Sequence, residues 1–155
     1  MLTRISRGVY SLSTAAVDVK KLATRLYAPS YISLQTALSI YGIINQGTYI
    51  LTLVTTRKPK ETTISGITVI YRHIAPALFF GYKVKKGVSI ADPEKAVLDT
   101  LYFKIYGKLH VSIDEWYVED INWRKLNKYL KQFPADFRRK VAPVLEKLRL
   151  IERRY

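Results

Sequence analysis

Two segments of the sequence each place a capped amphipathic helix directly after a short extended run. In residues 30–44 (SYISLQTALSIYGII), Ser33 is the expected first cap, with its hydroxyl accepting a hydrogen bond from a first-turn amide, and Gly42 ends the helix. In residues 88–103 (VSIADPEKAVLDTLYF), Asp92 is the expected cap and a proline follows it. This pattern predicts an α+β fold: a small mixed or antiparallel sheet with packed helices and a helical C-terminal end.

Strand patterns lie between and around these helices. Residues 49–56 (YILTLVTT) are apolar or β-branched on both faces, which predicts an interior strand covered on both sides. Two other segments have the pattern of a hairpin, namely 62–74, turning at Ser65-Gly66, and 79–90, turning near Lys86-Gly87.

The remaining helices are predicted from apolar spacing and from their ends. One helix is predicted over residues 18–27 and ends before Pro29; its inward residues are Val19, Leu22, Ala23 and Leu26. Another is predicted over residues 93–106 and ends at Gly107; its inward residues are Val97, Leu98, Leu101, Tyr102 and Ile105. In the C-terminal part, a helix over 122–133 stops at Pro134, and one over 136–151 is expected to bend or break at Pro143.

The net charge of +14 is the strongest physical hint about a partner. Residues 1–60 carry eight basic and one acidic side chain (+7), residues 61–120 seven and eight (−1), and residues 121–155 eleven and three (+8). Two basic ends around a neutral middle favour contact with a polyanion such as nucleic acid, although charge alone also serves solubility. There is no apolar run of the roughly 20 residues that a spanning helix needs, and no cysteine, which fits a cytoplasmic protein.

Motifs for catalysis are missing from the sequence. The two histidines, His73 and His110, stand 37 positions apart with no ligand at metal spacing, and we interpret them as structural. No nucleophile elbow, S-x-x-K motif or phosphate-binding glycine loop is present. The sequence therefore predicts a protein that is not an enzyme and needs no cofactor.

One acidic neighbourhood keeps a nuclease open as an alternative. Asp92, Glu94 and Asp99, with Lys95 among them, are the residue types that hold a metal ion against a phosphate. The helix start explains the first two, and Asp99 is expected to face solvent or bond to backbone. A second acidic cluster over 114–120 is interpreted as a solvated loop or a complement to the basic ends.

Basic and aromatic residues supply the candidate nucleic-acid contacts. Tyr27 and Tyr31, beside Arg25, are of the type that stacks on bases, but they equally suit packing at helix ends. Lys125, Lys128 and Lys131 share a helix face as a phosphate stripe or an ordinary charged surface. The full set of candidate nucleic-acid-binding residues is Arg4, Arg7, Lys20, Lys21, Arg25, Arg57, Lys58, Lys60, Lys125, Lys128 and Lys131.

In the first residues (RISRGVYSL) apolar and polar side chains alternate, which predicts a β-hairpin with Gly8 near its bend. We prefer this interpretation to an Arg/Ser-rich transit peptide.

Three motifs, by their order and spacing and with TLVTTRK and GITVIYRH between them, carry a family resemblance over about residues 2–102. They are ISRGVY (5–10), SYISLQTALSIYGI (30–43) and IADPEKAVLDTLY (90–102). The chain resembles the AbiEi family, the antitoxin and regulator component of type IV toxin–antitoxin systems.

The resemblance implies a division into a wing-like hairpin (1–14) and an antitoxin domain (15–155) whose helical C-terminal part is about 121–155. The family usually carries a full winged helix-turn-helix before this wing, whereas Met1 stands where the recognition helix would have ended; either that helix lies upstream or this member lacks it. The resemblance implies a transcriptional regulator in phage defence, binding DNA such as its own promoter and pairing functionally with a nucleotidyltransferase-like toxin. The alternative is a protein-interaction module that binds an acidic partner or toxin without nucleic acid.

Overall fold

The computed structural model describes the backbone of residues 3–6, 9–11, 15–45, 49–107 and 109–152. Its helices are α1 (Ala15–Leu26), α2 (Leu34–Ile40), α3 (Pro93–Tyr106), α4 (Trp123–Leu130) and α5 (Ala135–Glu152), with a 3₁₀ turn over Pro76–Leu78. Its strands are β1 (Thr3–Ser6), β2 (Val9–Ser11), β3 (Ser30–Ile32), β4 (Ile50–Thr55), β5 (Lys60–Ile64), β6 (Ile67–His73), β7 (Tyr82–Lys85) and β8 (Val88–Ala91). The expected α+β class is confirmed.

Strands β1 and β2 pair antiparallel as a separate two-stranded sheet, which confirms the N-terminal hairpin; Gly8 lies outside the described residues. The other six strands form one mixed sheet in the order β5-β6-β4-β3-β8-β7. β4 lies in its interior and is buried from Leu51 to Thr55, as expected for a strand that is apolar on both faces. It pairs antiparallel with β3 and parallel with β6, while β3 pairs parallel with β8.

Both expected hairpins turn where the sequence indicates. Ser65 and Gly66 have φ angles of 51° and 78°, and Lys86 and Gly87 have 53° and 80°. Positive φ at both central residues is the requirement of the two-residue turn that matches strand twist. These turns place β5 beside β6 and β7 beside β8.

The starts of α2 and α3 lie where expected, but the capping hydrogen bonds are not formed. Ser33 and Asp92 occupy the cap positions, and neither side chain accepts a hydrogen bond from its helix. The Ser33 hydroxyl instead donates to the Asp99 carboxylate (2.9 Å), and Asp92 accepts from the Tyr129 hydroxyl (2.6 Å). The cap positions were predicted correctly, but the cap hydrogen bonds were not, because both side chains are oriented toward tertiary partners instead.

In the C-terminal part, Asn122 does cap α4, because its Oδ1 accepts from the Lys125 amide at 3.1 Å. Of the bend or break expected at Pro143, the break does not occur, because helix α5 runs through that residue. One cluster of buried apolar side chains extends from Val19 in α1 to Leu148 in α5, and the C-terminal helices therefore share a core with the sheet. Leu26, expected inward, is 53% exposed at the end of α1.

Candidate nucleic-acid interface

The strand register brings separate basic segments to one edge of the six-stranded sheet. Ser30 at the start of β3 pairs with Thr55 at the end of β4, which in turn pairs with His73 at the end of β6. The parallel pairing of β3 with β8 puts the start of β8 at the same edge, together with the end of β7. The loop after β4, the β7–β8 turn and the start of β5 therefore lie side by side.

We call this surface the basic edge. Its cationic side chains are Lys21, Arg25, Arg57, Lys58, Lys60, Lys85 and Lys86. Helix α1 joins it through its last turns: a Cβ atom on Gly87 would lie 2.8 Å from Lys21 Cε and 3.3 Å from Arg25 Nη2. Those two side chains thus extend over the β7–β8 turn. Six strands spaced by about 4.8 Å make this edge about 24 Å long.

Tyr27 holds the loop after β4 in place. Its hydroxyl donates to the Lys58 carbonyl at 2.9 Å, and its ring packs against Tyr71 with centroids 5.0 Å apart. The Arg57 guanidinium lies 4.0 Å from the centre of the same ring, and Lys60 Nζ lies 4.9 Å from it. Cations placed over an aromatic face are attracted to it and lose freedom of movement. Tyr27 therefore positions basic groups and has its ring already in contact with them.

The cations of the basic edge lack carboxylate partners among the described residues. Across the part of the chain that the structure describes, none of its seven cations forms an ion pair with a carboxylate. A row of such positive charges attracts anions, and added salt weakens that attraction by screening it. The surface suits an extended polyanion.

Other sequence-based candidates lie elsewhere. Lys125 pairs with Asp92 (3.1 Å) and Glu94 (3.7 Å) and keeps 36% of its side chain exposed, whereas Lys128 on α4 and Lys131 at its C-terminal cap are exposed and have no such partners within the described residues. Lys20 lines an apolar groove at the opposite ends of β4 and β6. The side chain of Arg4 and the whole of Arg7 are outside the described residues.

Lys85 and Lys86 belong to the basic edge although the sequence reading left them out. The turn at Lys86-Gly87 was expected, but its neighbours were not, because the parallel contact of β3 with β8 joins residues 58 positions apart, Ile32 and Ile90. Likewise Tyr31 is fully buried, so it does not offer a stacking face. The number of lysines in turns does not predict this surface, because the strand register decides which turns lie side by side.

The acidic neighbourhood is a set of buried, partnered groups. Lys95 Nζ donates to Asp99 Oδ1 (2.6 Å), to the Tyr31 hydroxyl (2.8 Å) and to the Leu78 carbonyl (2.8 Å). Asp99 Oδ2 also accepts from Tyr31 (2.8 Å) and Ser33. The expectation that Asp99 faces solvent or backbone was wrong: both charged side chains are fully buried and bond to side chains.

Burial dominates the protonation equilibria of this pair. It lowers the pKa of Lys95 and raises the pKa of Asp99, while their mutual contact opposes both shifts. The three acceptors around Lys95 Nζ match the three donors of an ammonium group, which favours the charged pair. We call these four residues, Tyr31, Ser33, Lys95 and Asp99, the buried network.

Asp92 and Glu94 bind protein groups as well. Burial alone would raise the pKa of Asp92, but hydrogen bonds from Tyr129 and Lys125 and the charge of Lys83 bring it below its ordinary value. Glu94 Oε2 accepts from the Asn122 amide at 3.0 Å. No group of three or more His, Asp or Glu side chains suited to a metal ion occurs within the described ranges.

The second acidic cluster combines both of its expected roles. Asp114, Glu115, Glu119 and Asp120 are exposed, and Asp114 pairs with Lys147 of the basic C-terminal part at 3.1 Å. A cavity of about 490 Å³ lies between this segment and α2, lined in part by Gln35, His110 and Trp116. None of the residues of the basic edge lines it.

No protein-family model matches this chain, and no curated protein or solved structure is significantly similar to it. The fold and the surface together define an α+β protein with a basic sheet edge. Among the described helices, none has both the length and the hydropathy that a bilayer crossing requires.

Proposed function

We propose that this protein is a non-enzymatic nucleic-acid-binding regulator of the antitoxin type, acting in the cytoplasm on DNA such as its own promoter. The observation that carries the proposal is the basic edge, in which seven cations, without an ion pair to any carboxylate that the structure describes, line about 24 Å of one sheet edge. The resemblance of residues 2–102 to AbiEi antitoxins supports the regulatory role, and with it functional pairing with a nucleotidyltransferase-like toxin in phage defence.

Phosphate neutralisation supplies the affinity in this proposal. Each phosphate contact releases counterions, so log K is expected to fall as log salt rises. The slope is about −0.9 per contact on B-DNA, which gives about −6 for seven contacts. The basic edge consists of loops and the last turns of α1, and its Tyr27 ring is already covered by Arg57 and Lys60, so base readout at this surface is not expected to add to the affinity. We therefore expect binding that depends strongly on salt and weakly on sequence.

The test is a fluorescence-anisotropy titration with a promoter duplex at several salt concentrations. The edge variant Arg57→Gln/Lys58→Gln/Lys86→Gln removes three unpaired cations, and we expect weaker binding with a salt slope smaller by up to about 2.7. The control Arg139→Gln/Lys140→Gln/Lys147→Gln removes the same charge from exposed cations that pair with Asp136 and Asp114. It should bind nearly as the unchanged protein does.

Two results would overturn the proposal. One is the absence of duplex binding at low salt. The other is an equal loss of affinity in the edge variant and the control, which would mean that affinity depends on the net charge of the protein and not on the basic edge. Thermal melting of both variants checks that the fold is retained, since surface substitutions away from packed features usually change stability by no more than about 0.5 kcal/mol. Co-purification with an acidic protein in place of DNA would favour the interaction module.

A further inference from the structure

A second row of cations lies on α4 and its C-terminal cap residue. Arg124, Lys128 and Lys131 follow at i, i+4 and i+7, and all three are exposed. At 100° per residue they are centred about 180° from the buried face that Leu126 and Tyr129 form, so they point directly away from the core. We call them the α4 stripe.

The α4 stripe lacks the mixture of charge that is usual on a surface helix. No acidic residue occurs from Ile121 to Ala135. Asp92 and Glu94 pair with Lys125 on the inner side, and none of the three stripe cations forms an ion pair within the described part of the chain. Like charges at i, i+4 weaken a helix by a few tenths of a kcal/mol, and a bound anion would offset that penalty.

The anchors of α4 place the stripe away from the basic edge. Asp92 follows β8 at the end opposite to the Lys86-Gly87 turn, and it accepts from Tyr129 of α4 at 2.6 Å. The Asn122 amide at the start of α4 donates to Glu94 in the first turn of α3. The strand β8 therefore separates the two cationic surfaces along the sheet.

We propose that the α4 stripe binds a second nucleic-acid duplex, so that one molecule bridges two segments. This inference rests on the proposed function of the basic edge. A duplex is stiff over about 150 bp, and bending a 20–30 bp site by 40–90° costs about 1–6 kcal/mol. A segment lying along the basic edge therefore does not turn around the molecule to reach the stripe, and a separate segment takes that place.

Bridging is measured by capture of one duplex through another. A biotinylated duplex of about 30 bp, short against the persistence length, is fixed on beads and loaded with protein. A fluorescent duplex of the same sequence is then added at about 0.1 M salt, where surface charges still interact over about 10 Å. The unchanged protein is expected to retain the fluorescent duplex on the beads.

The decisive variant is Arg124→Gln/Lys128→Gln/Lys131→Gln. It is expected to bind a single duplex in anisotropy much as the unchanged protein does, but to lose capture to the level of beads without protein. The variant Arg139→Gln/Lys140→Gln/Lys147→Gln removes the same charge from paired cations and should keep capture.

The outcomes separate the two proposals. Duplex binding without capture by the unchanged protein overturns bridging and leaves the basic edge standing. Capture that survives in the stripe variant also overturns it, because bridging then comes from association of two copies through some other surface. Absence of any duplex binding overturns the proposed function itself, and bridging with it.

Discussion

Lys95 and Lys58 carry the same ammonium group in opposite surroundings. Lys95 is fully buried, and each of its three donors meets an acceptor within the protein. Lys58 is exposed on the loop after β4, and among the described residues it is its backbone carbonyl, not its ammonium group, that has a partner, the Tyr27 hydroxyl. The comparison teaches that charge in the buried network is spent on holding elements together, whereas charge on the basic edge is available to an outside anion.

The largest change in the free energy of unfolding is expected when the buried network loses Asp99. The variant Asp99→Ala leaves Lys95 buried without its carboxylate, and breaking one partner of a buried pair costs about 3–5 kcal/mol. Denaturant unfolding measures the loss. The control Asp114→Ala removes an exposed pair with Lys147 and should cost less than about 1 kcal/mol. Equal losses in the two variants would show that burial of the pair does not matter.

A matched pair of glycines sharpens the same contrast. Gly81 and Gly87 both have positive φ, 75° and 80°. A Cβ on Gly81 would lie 2.9 Å from Cγ of the fixed Lys95, whereas one on Gly87 would lie 2.8 Å from the movable end of Lys21.

We therefore expect Gly81→Ala to reduce the free energy of unfolding by about 2–4 kcal/mol, combining backbone strain with overpacking. Gly87→Ala should cost only about 1–2 kcal/mol, since backbone strain is then the main penalty. Thermal or denaturant unfolding compares them directly. If Gly87→Ala proved the more damaging, the Lys21 and Arg25 side chains would be as firmly held as the buried network.

The smallest effect concerns Asp92, which lies between the two extremes with half-exposed lysines beside it. Its pKa is below the ordinary 3.8, so its carboxylate stabilises the fold above that pH and the contribution is lost as pH falls through the lowered value. Asp92→Asn should therefore cost on the order of 1 kcal/mol near neutral pH, and the cost should shrink as pH falls below 3.8. A difference that stays constant with pH would mean that the charge of Asp92 is irrelevant.

Local features of the fold were predictable from the sequence. The turns at Ser65-Gly66 and Lys86-Gly87, the end of α2 at Gly42 and the interior strand β4 all depend on backbone preference or on alternation within a few residues. Predictions that assigned a single partner to a polar side chain failed at Ser33 and Asp92, because distant residues provided better partners.

Five of the seven cations of the basic edge were predictable as well. Lys21, Arg25, Arg57, Lys58 and Lys60 were all expected to contact nucleic acid, and they do lie together on the basic edge. Lys125 was grouped with Lys128 and Lys131 by helical spacing alone, but of the three it pairs with the carboxylates at the start of α3.

The sequence by itself determined the fold class, the positions of most helices and hairpins and the excess of positive charge, because these follow from composition and from contacts between near neighbours. Only the tertiary structure decided which charges remain free. The register of β3 against β4 and β8 joins loops that are far apart in the chain, and the packing of α3 withdraws Lys95 and Asp99 from water. Both depend on long-range contacts whose partners no short pattern specifies.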